Sequence, residues 1–326
     1  MSLRTPVCDL LKIDHPVLLA GMGGVSYAEV TAAVSEAGGF GCLGMASAGP
    51  EEIRAQMRRV RELTDKPFGV DLLTALPDSL EAACDVIIEE GASTFVSGLG
   101  VPTPIMGRLK DAGLTVMSMC GTVRHARKAE EAGVDAVIAQ GTEAGGHTGR
   151  IAGMALIPQI VDAVNVPVIA AGSIVDGRGL AASLAFGAQA VWMGTRFIAS
   201  TEAHAGRVYK QAIVDAGIED TTVTRAYSGK PMRVLNNDYV QELESTPGAI
   251  RKFPDQAIHS YQEQVIGGIG GILEPLDKNR DCLPMGQGAG AVHEVLPCAE
   301  IVRRTVAEAE EVMARLGRMA AGGQSG

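Results

Sequence analysis

The chain has 326 residues, of which 46% are hydrophobic, 41 are glycine and 4% are aromatic, and its formal net charge is −10. With a mean hydropathy of +0.16, this predicts one large α/β unit with an embedded smaller region and argues against an aromatic-rich β-sandwich. The acidic balance disfavours non-specific attraction to nucleic acid or to an anionic membrane surface, because long-range repulsion opposes both encounters.

In chain order, eight short apolar runs alternate with helix-like segments: VLLA (17–20), GFGCLGM (39–45), FGVDLL (68–73), TFVSGL (94–99), TVMSMC (115–120), AVIAQ (136–140), VPVIAAG (166–172) and AVWMGTRF (190–197). The runs are rich in Val, Ile and Leu without strict alternation, which predicts strands buried on both faces, as in a parallel sheet. Between them, YAEVTAAVSEAG, PEEIRAQMRRVREL, DSLEAACDVIIEEG and TVRHARKAEEAG have helical apolar spacing, and several close on glycine. Eight such units predict a closed (β/α)8 TIM barrel. An open doubly wound sheet would carry GxGxxG after its first strand, whereas the first turn here reads AGMGGVS.

The rhythm ends near residue 205. Residues 1–205 are expected to form the barrel and 206–292 a mainly helical region capping its mouth. A C-terminal helix over 293–319 is expected to return to the barrel wall, followed by a flexible tail over 320–326. The six cysteines (Cys8, Cys42, Cys84, Cys120, Cys282 and Cys298) form no CxxC pair. They predict reduced, packed thiols and a cytoplasmic setting. The N-terminus lacks a signal peptide's apolar stretch, and no uncharged run reaches the roughly 18 residues of a membrane helix, so a soluble protein is expected.

In a barrel of this kind the loops after the strands share one rim. The stretch Ala139–Gly149, AQGTEAGGHTG, ends a strand in a glycine-rich turn that presents His147 on thin backbone. A neutral imidazole there is a candidate base near pH 7. Two later turns, GSIVDGRG and MGTRF, offer Gly172, Ser173, Gly194 and Thr195 as anion donors, where late strands of such barrels commonly hold a phosphate. The other histidines (His15, His125, His204, His259 and His293) have no metal-ligand spacing, so no metal site is expected. No GxSxG elbow or Walker A loop appears. GIGG at 268–271 reads as a packing hinge. TRAYSGKPMRVLNN brings Tyr227, Ser228 or Lys230 either over the mouth or into a structural turn.

Taken together, LLKIDHPVLLAGMGG, EAGGFGCLG, LTDKPFGVDL, QGTEAGGHTG, VPVIAAGSIVDGRG and FGAQAVWMGTRF resemble the nitronate monooxygenase family and the related FMN-dependent enoyl-acyl carrier protein reductases. The resemblance implies a TIM barrel holding non-covalent FMN, its phosphate at Gly172–Ser173 and Gly194–Thr195 and its ring near Gly21, Met22 and Gln140. Gly23, Asp71, Gly145, Gly146 and Ala171 complete the implied cofactor set, and His147 takes the catalytic role. The family often has asparagine where this chain has Asp71, and some NADH- and quinone-using relatives have lysine where it has Met119. The implied activity is oxidation of alkyl nitronates with molecular oxygen. The alternative is NAD(P)H-dependent reduction of an enoyl thioester of acyl carrier protein or coenzyme A. A homodimer is compatible with either.

Overall fold

The computed structural model describes residues 3–46, 48–74 and 80–322. All eight apolar runs form strands: β1 (Val17–Leu19), β2 (Gly41–Gly44), β3 (Phe68–Leu72), β4 (Thr94–Ser97), β5 (Thr115–Cys120), β6 (Ala136–Gln140), β8 (Val168–Ala171) and β9 (Ala190–Met193). A two-residue strand, β7 (Gly146–His147), lies between them in the chain but outside their sheet. The eight strands run parallel in the order β1-β9-β8-β6-β5-β4-β3-β2. A parallel bridge between Leu18 and Phe40 joins the two ends into a barrel. There Leu19 N–H donates to Phe40 O at 2.9 Å and Phe40 N–H to Val17 O at 3.0 Å.

The two-residue period of a strand sorts the side chains into two layers. Leu18, Phe40, Cys42, Val96, Met117, Ile138, Ile169 and Trp192 share one buried cluster. Their neighbours Val17, Leu19, Leu43, Val70, Val137 and Val191 belong to the other, with the apolar faces of the helices. Both faces are dry, which is why the sequence lacks a polar alternation. Val7, Cys8 and Leu11 of the N-terminal helix Pro6–Leu11 join the inner cluster, so this helix plugs one end of the barrel. The same parity puts Asp71, Met119, Gln140 and Ala171 on the inner face at the carboxyl ends of their strands.

Helices Ala28–Glu36, Pro50–Leu63, Leu80–Glu89, Met106–Asp111, Val123–Glu131, Gly153–Val161 and Gly177–Ala185 follow successive barrel strands. After β9 there is a single turn, Thr195–Ile198. The long helix Cys298–Gly322 takes the vacant eighth position, packing on Gly177–Ala185 and Ala28–Glu36. The approach is close: a Cβ on Gly177 would lie 2.4 Å from Thr305 O. This helix starts later than the expected 293 and runs on through 320–322. The remainder of the expected tail, 323–326, lies outside the described residues.

Residues 206–292 combine helices with a short hairpin that the sequence reading did not foresee. Helices Arg207–Asp215, Asp238–Ser245 and Asp255–Gln262 are present, but the centre is an antiparallel hairpin of β10 (Thr221–Thr224) and β11 (Met232–Leu235). TTVT and MRVL carry the β-branched residues that suit strands but are too short to show a period. Tyr227, Met232, Val234, Val240, Val265 and Cys282 give this region a core of its own. The free edge of β11 pairs with β7, setting Met232 opposite His147 and Arg233 opposite Gly146. The loop after β6 is thereby stitched to the hairpin. Among the described residues no helix is long and apolar enough to cross a membrane. All six cysteines are free and buried, and neither Cys42 nor Cys120 lines the cavity described next.

Candidate active site

A cavity of about 370 Å³ opens at the carboxyl ends of the barrel strands. The residues of the implied cofactor and catalytic set line it, namely Gly21, Met22, Gly23, Asp71, Gln140, Gly145, Gly146, His147, Ala171, Gly172, Ser173, Gly194 and Thr195, whereas Tyr227, Ser228 and Lys230 do not. Met119 and Trp192 add apolar floor, and Tyr209, Met232, Ile269 and Pro284 reach in from the region after the barrel. Sequence reasoning missed these last four, since no local signal marks a side chain that arrives from a separate element. Ile269 lies in the GIGG stretch, which packs on the turn after β1: a Cβ on Gly24 would lie 2.8 Å from Gly268 O.

One end of the cavity is built from backbone. Gly172 and Ser173 both have positive φ, 110° and 53°. The first amides of the turn Thr195–Ile198 have no intrahelical carbonyl to bond. N–H groups so placed suit an anion. The Ser173 hydroxyl is already engaged, donating to Glu143 O at 3.2 Å and accepting Gly288 N–H at 2.9 Å. Thr195 Oγ1 accepts Gly286 N–H at 3.0 Å and keeps its own proton to donate. Arg196 turns away: its guanidinium donates to Ala199 O at 2.7 Å and Glu294 O at 2.6 Å, and burial lowers its pKa. Asp176 caps helix Gly177–Ala185 by accepting Gly179 N–H at 3.0 Å.

His147 also lines the cavity. Gly146, with φ of 74°, turns the chain so that the next residue can pair with β11. Gln140 Nε2 donates to His147 O at 3.3 Å. Arg233 clamps the loop, donating to Thr142 O at 3.1 Å and to Thr221 Oγ1 at 3.2 Å. The imidazole Nε2 lies 2.9 Å from Ser228 Oγ, whose hydroxyl also accepts Lys230 N–H at 3.3 Å. Desolvation by the surrounding protein, followed by the charge of Lys230, lowers the histidine pKa below its ordinary value, which favours the neutral ring. With Nε2 held by Ser228, Nδ1 is the ring nitrogen left for a ligand. Ser228→Ala is expected to lower kcat/KM about five- to tenfold, the loss of one hydrogen bond of about 1 kcal/mol. Unchanged steady-state kinetics would remove Ser228 from the site.

Asp71 sits in the floor, 6% exposed. Gly21 and Gly98 press on it: a Cβ on Gly21 would lie 2.3 Å from Asp71 Cβ. Desolvation raises its pKa well above the usual carboxylate range, with Gly98 N–H pulling the other way. Behind it, burial and then Asp71 itself push up the pKa of the Cys42 thiol. A carboxyl that keeps its proton carries a hydrogen-bond donor that a carboxylate lacks.

The sequence model described as Nitronate monooxygenase matches residues 4–308. The chain belongs to the nitronate monooxygenase family. It is accordingly an FMN-dependent oxidoreductase, as members of the family are. It is 42% identical over 248 residues to a (3aS,4S,5R,7aS)-5-hydroxy-7a-methyl-1-oxo-octahydro-1H-indene-4-carboxyl-CoA dehydrogenase of Mycobacterium tuberculosis, a match covering 75% of this chain and 70% of the relative. It is 34% identical to a probable nitronate monooxygenase of Staphylococcus saprophyticus, covering 78% of this chain and 85% of the relative. Among solved structures, FabK from Thermotoga maritima superposes with a TM-score of 0.89 at 39% identity, covering 97% of this chain and 99% of that one. The residues around the cavity fit the family's cofactor: apolar floor and thin glycine walls suit a planar ring, and the backbone donors at Gly172–Ser173 and Thr195 suit a phosphate.

Proposed function

We propose that this chain catalyses oxidoreduction next to the carbonyl of a coenzyme A thioester, with NAD(P)H-dependent reduction of an enoyl thioester as the direction to assay. The observation that carries this reading is the His147–Ser228 pair, a neutral imidazole at 2.9 Å from its hydroxyl partner at the edge of the cavity. It is supported by the 42% identity to a protein named as a carboxyl-CoA dehydrogenase. FMN, when bound, supplies the two-electron chemistry. In this reading the amides at Gly172–Ser173 and Gly194–Thr195 hold the phosphate, and Gly21–Gly23, Asp71, Gln140, Gly145, Gly146 and Ala171 border the ring. His147 moves a proton at the carbon beside the thioester, and residues 206–292 cap the site and keep water from it. A cytoplasmic location belongs to the same proposal, supported by six free cysteines.

A second reading, oxidation of alkyl nitronates with molecular oxygen, is favoured by the family description and the Staphylococcus relative. His147 would there take the α-proton of the nitroalkane, using the same nitrogen. Purified protein separates the two. Visible flavin absorption and NAD(P)H oxidation dependent on an enoyl-CoA are expected. Oxygen uptake with propionate 3-nitronate and no response to thioesters would install the second reading, and no flavin binding even after FMN is added would sink both.

A further inference from the structure

We propose that the turn 225–230 and the segment 250–253 form a seat for the adenosine 3′,5′-bisphosphate end of coenzyme A, beside the cavity mouth. This rests on the thioester reading above and says where the substrate's nucleotide is recognised.

Although the chain carries a net charge of −10, residues 221–237 and 246–254 contain no acidic residue, and besides the buried Arg233 they supply Arg225, Lys230, Arg251 and Lys252. The fold brings the two stretches together. Gln256 bridges them, its Nε2 donating to Ala226 O and its Oε1 accepting Arg251 N–H at 2.9 Å. Gly229 lies so close to the second stretch that a Cβ there would be 2.4 Å from Phe253 N. Lys230 Nζ stands 4.0 Å above the Phe253 ring centroid. Arg225, Arg251 and Lys252 are exposed and Lys230 is half-buried. Among the described residues none of the four has an ion-pair partner, whereas most arginines on the barrel helices do.

Four cations that lack an ion-pair partner among the described residues, one of them over a ring that is 43% exposed, match a particular chemistry. Guanidinium and ammonium groups bind phosphate oxygens, and an exposed aromatic face stacks on a base. The patch is continuous with the reacting end. Ser228, in the same turn, lies 2.9 Å from His147 Nε2, and Arg225, three residues away, is at most about 11 Å along the chain from Ser228. A pantetheine arm covers that separation with its thioester at the imidazole. A short acyl or nitronate substrate would leave the patch unused.

The test reverses the three exposed charges, Arg225→Glu, Arg251→Glu and Lys252→Glu together, and leaves Lys230 beside His147 untouched. On the holoenzyme, KM for an enoyl-CoA should rise about tenfold or more, since three surface charge contacts of about 0.5 kcal/mol each sum to one decade. KM for the N-acetylcysteamine thioester of the same acyl group, which lacks the nucleotide, should change by less than about twofold. Adenosine 3′,5′-bisphosphate should compete with the CoA thioester, and more weakly at high salt. Equal effects on the two thioesters, or none on either, would overturn the seat. Loss of activity on an acyl carrier protein thioester with the CoA thioester unaffected would also overturn it and make the patch a protein-docking face. If no thioester is turned over, calorimetric titration of the holoenzyme with coenzyme A decides the matter independently. Binding that the triple variant loses upholds the seat while removing the reading of function, and no binding removes the seat. The single variant Lys252→Glu, at an exposed position, supplies the same comparison if the triple variant fails to fold.

Discussion

His147→Ala is expected to reduce kcat about 10²- to 10⁴-fold, the range typical of a positioned general acid or base, while the protein retains its flavin absorption. The second half of that result follows from how the cavity is built. The groups suited to the cofactor are backbone at Gly172–Ser173 and Gly194–Thr195 and the floor of Ala171, Met119 and Trp192, and none of them depends on the imidazole. A pH profile tests the same assignment without a mutation. Desolvation and Lys230 lower the histidine pKa, so the neutral base persists to more acid pH than a free imidazole of about 6.5 allows. The acid limb of kcat/KM should therefore be centred below the ordinary imidazole value of about 6.5. Full activity in the alanine variant would end the assignment, as would an acid limb centred above the ordinary imidazole value.

Asp71→Asn is the second large effect, and its sign is opposite to that of most buried substitutions. Burial raises the Asp71 pKa in the folded chain above its unfolded value. The folded state therefore binds the proton more tightly than the unfolded state. The stability associated with this group is complete below the unfolded carboxylate range and is lost as pH rises through the folded pKa. Asparagine keeps the shape and a donor and removes the titration. The variant should be more stable than the parent by about 1–3 kcal/mol at neutral to alkaline pH, an advantage that shrinks on acidification. Urea midpoints at pH 5, 7 and 9 and at fixed flavin occupancy would measure this. A constant difference across that range would show that Asp71 does not titrate with folding. The neighbouring Gly21 offers no such relief, because any side chain there meets Asp71 Cβ at 2.3 Å.

The barrel and the outline of the site were legible from local pattern. Eight aliphatic runs, each followed by a helical segment, leave few ways to bury both faces of every strand, and rim convergence then collects Gly21, Asp71, Gln140, His147, Gly172 and Gly194 with no knowledge of distances. The hairpin of β10 and β11 was not legible. Each strand is four residues long, below the length at which a two-residue period separates from noise. Strand β7 is two residues and exists because β11 pairs with it. Arg196, next to the Gly194–Thr195 turn, spends its guanidinium on the carbonyls of Ala199 and Glu294, a use that only the folded chain shows.

Periodicity and turn chemistry, which act over a few residues, were sufficient for the closed barrel and for gathering rim residues, His147 among them, around one cavity. The partner of that histidine is a different matter. Ser228 lies 81 residues away, in a turn that the linear text left divided between a lid and a plain structural role. Its contact forms only after the hairpin docks against β7, and the charge cluster at Arg225, Lys230, Arg251 and Lys252 assembles only when Gln256 and Gly229 bring two stretches together. Hydrogen bonds and charges between distant segments depend on distance in space, and packing alone sets that distance.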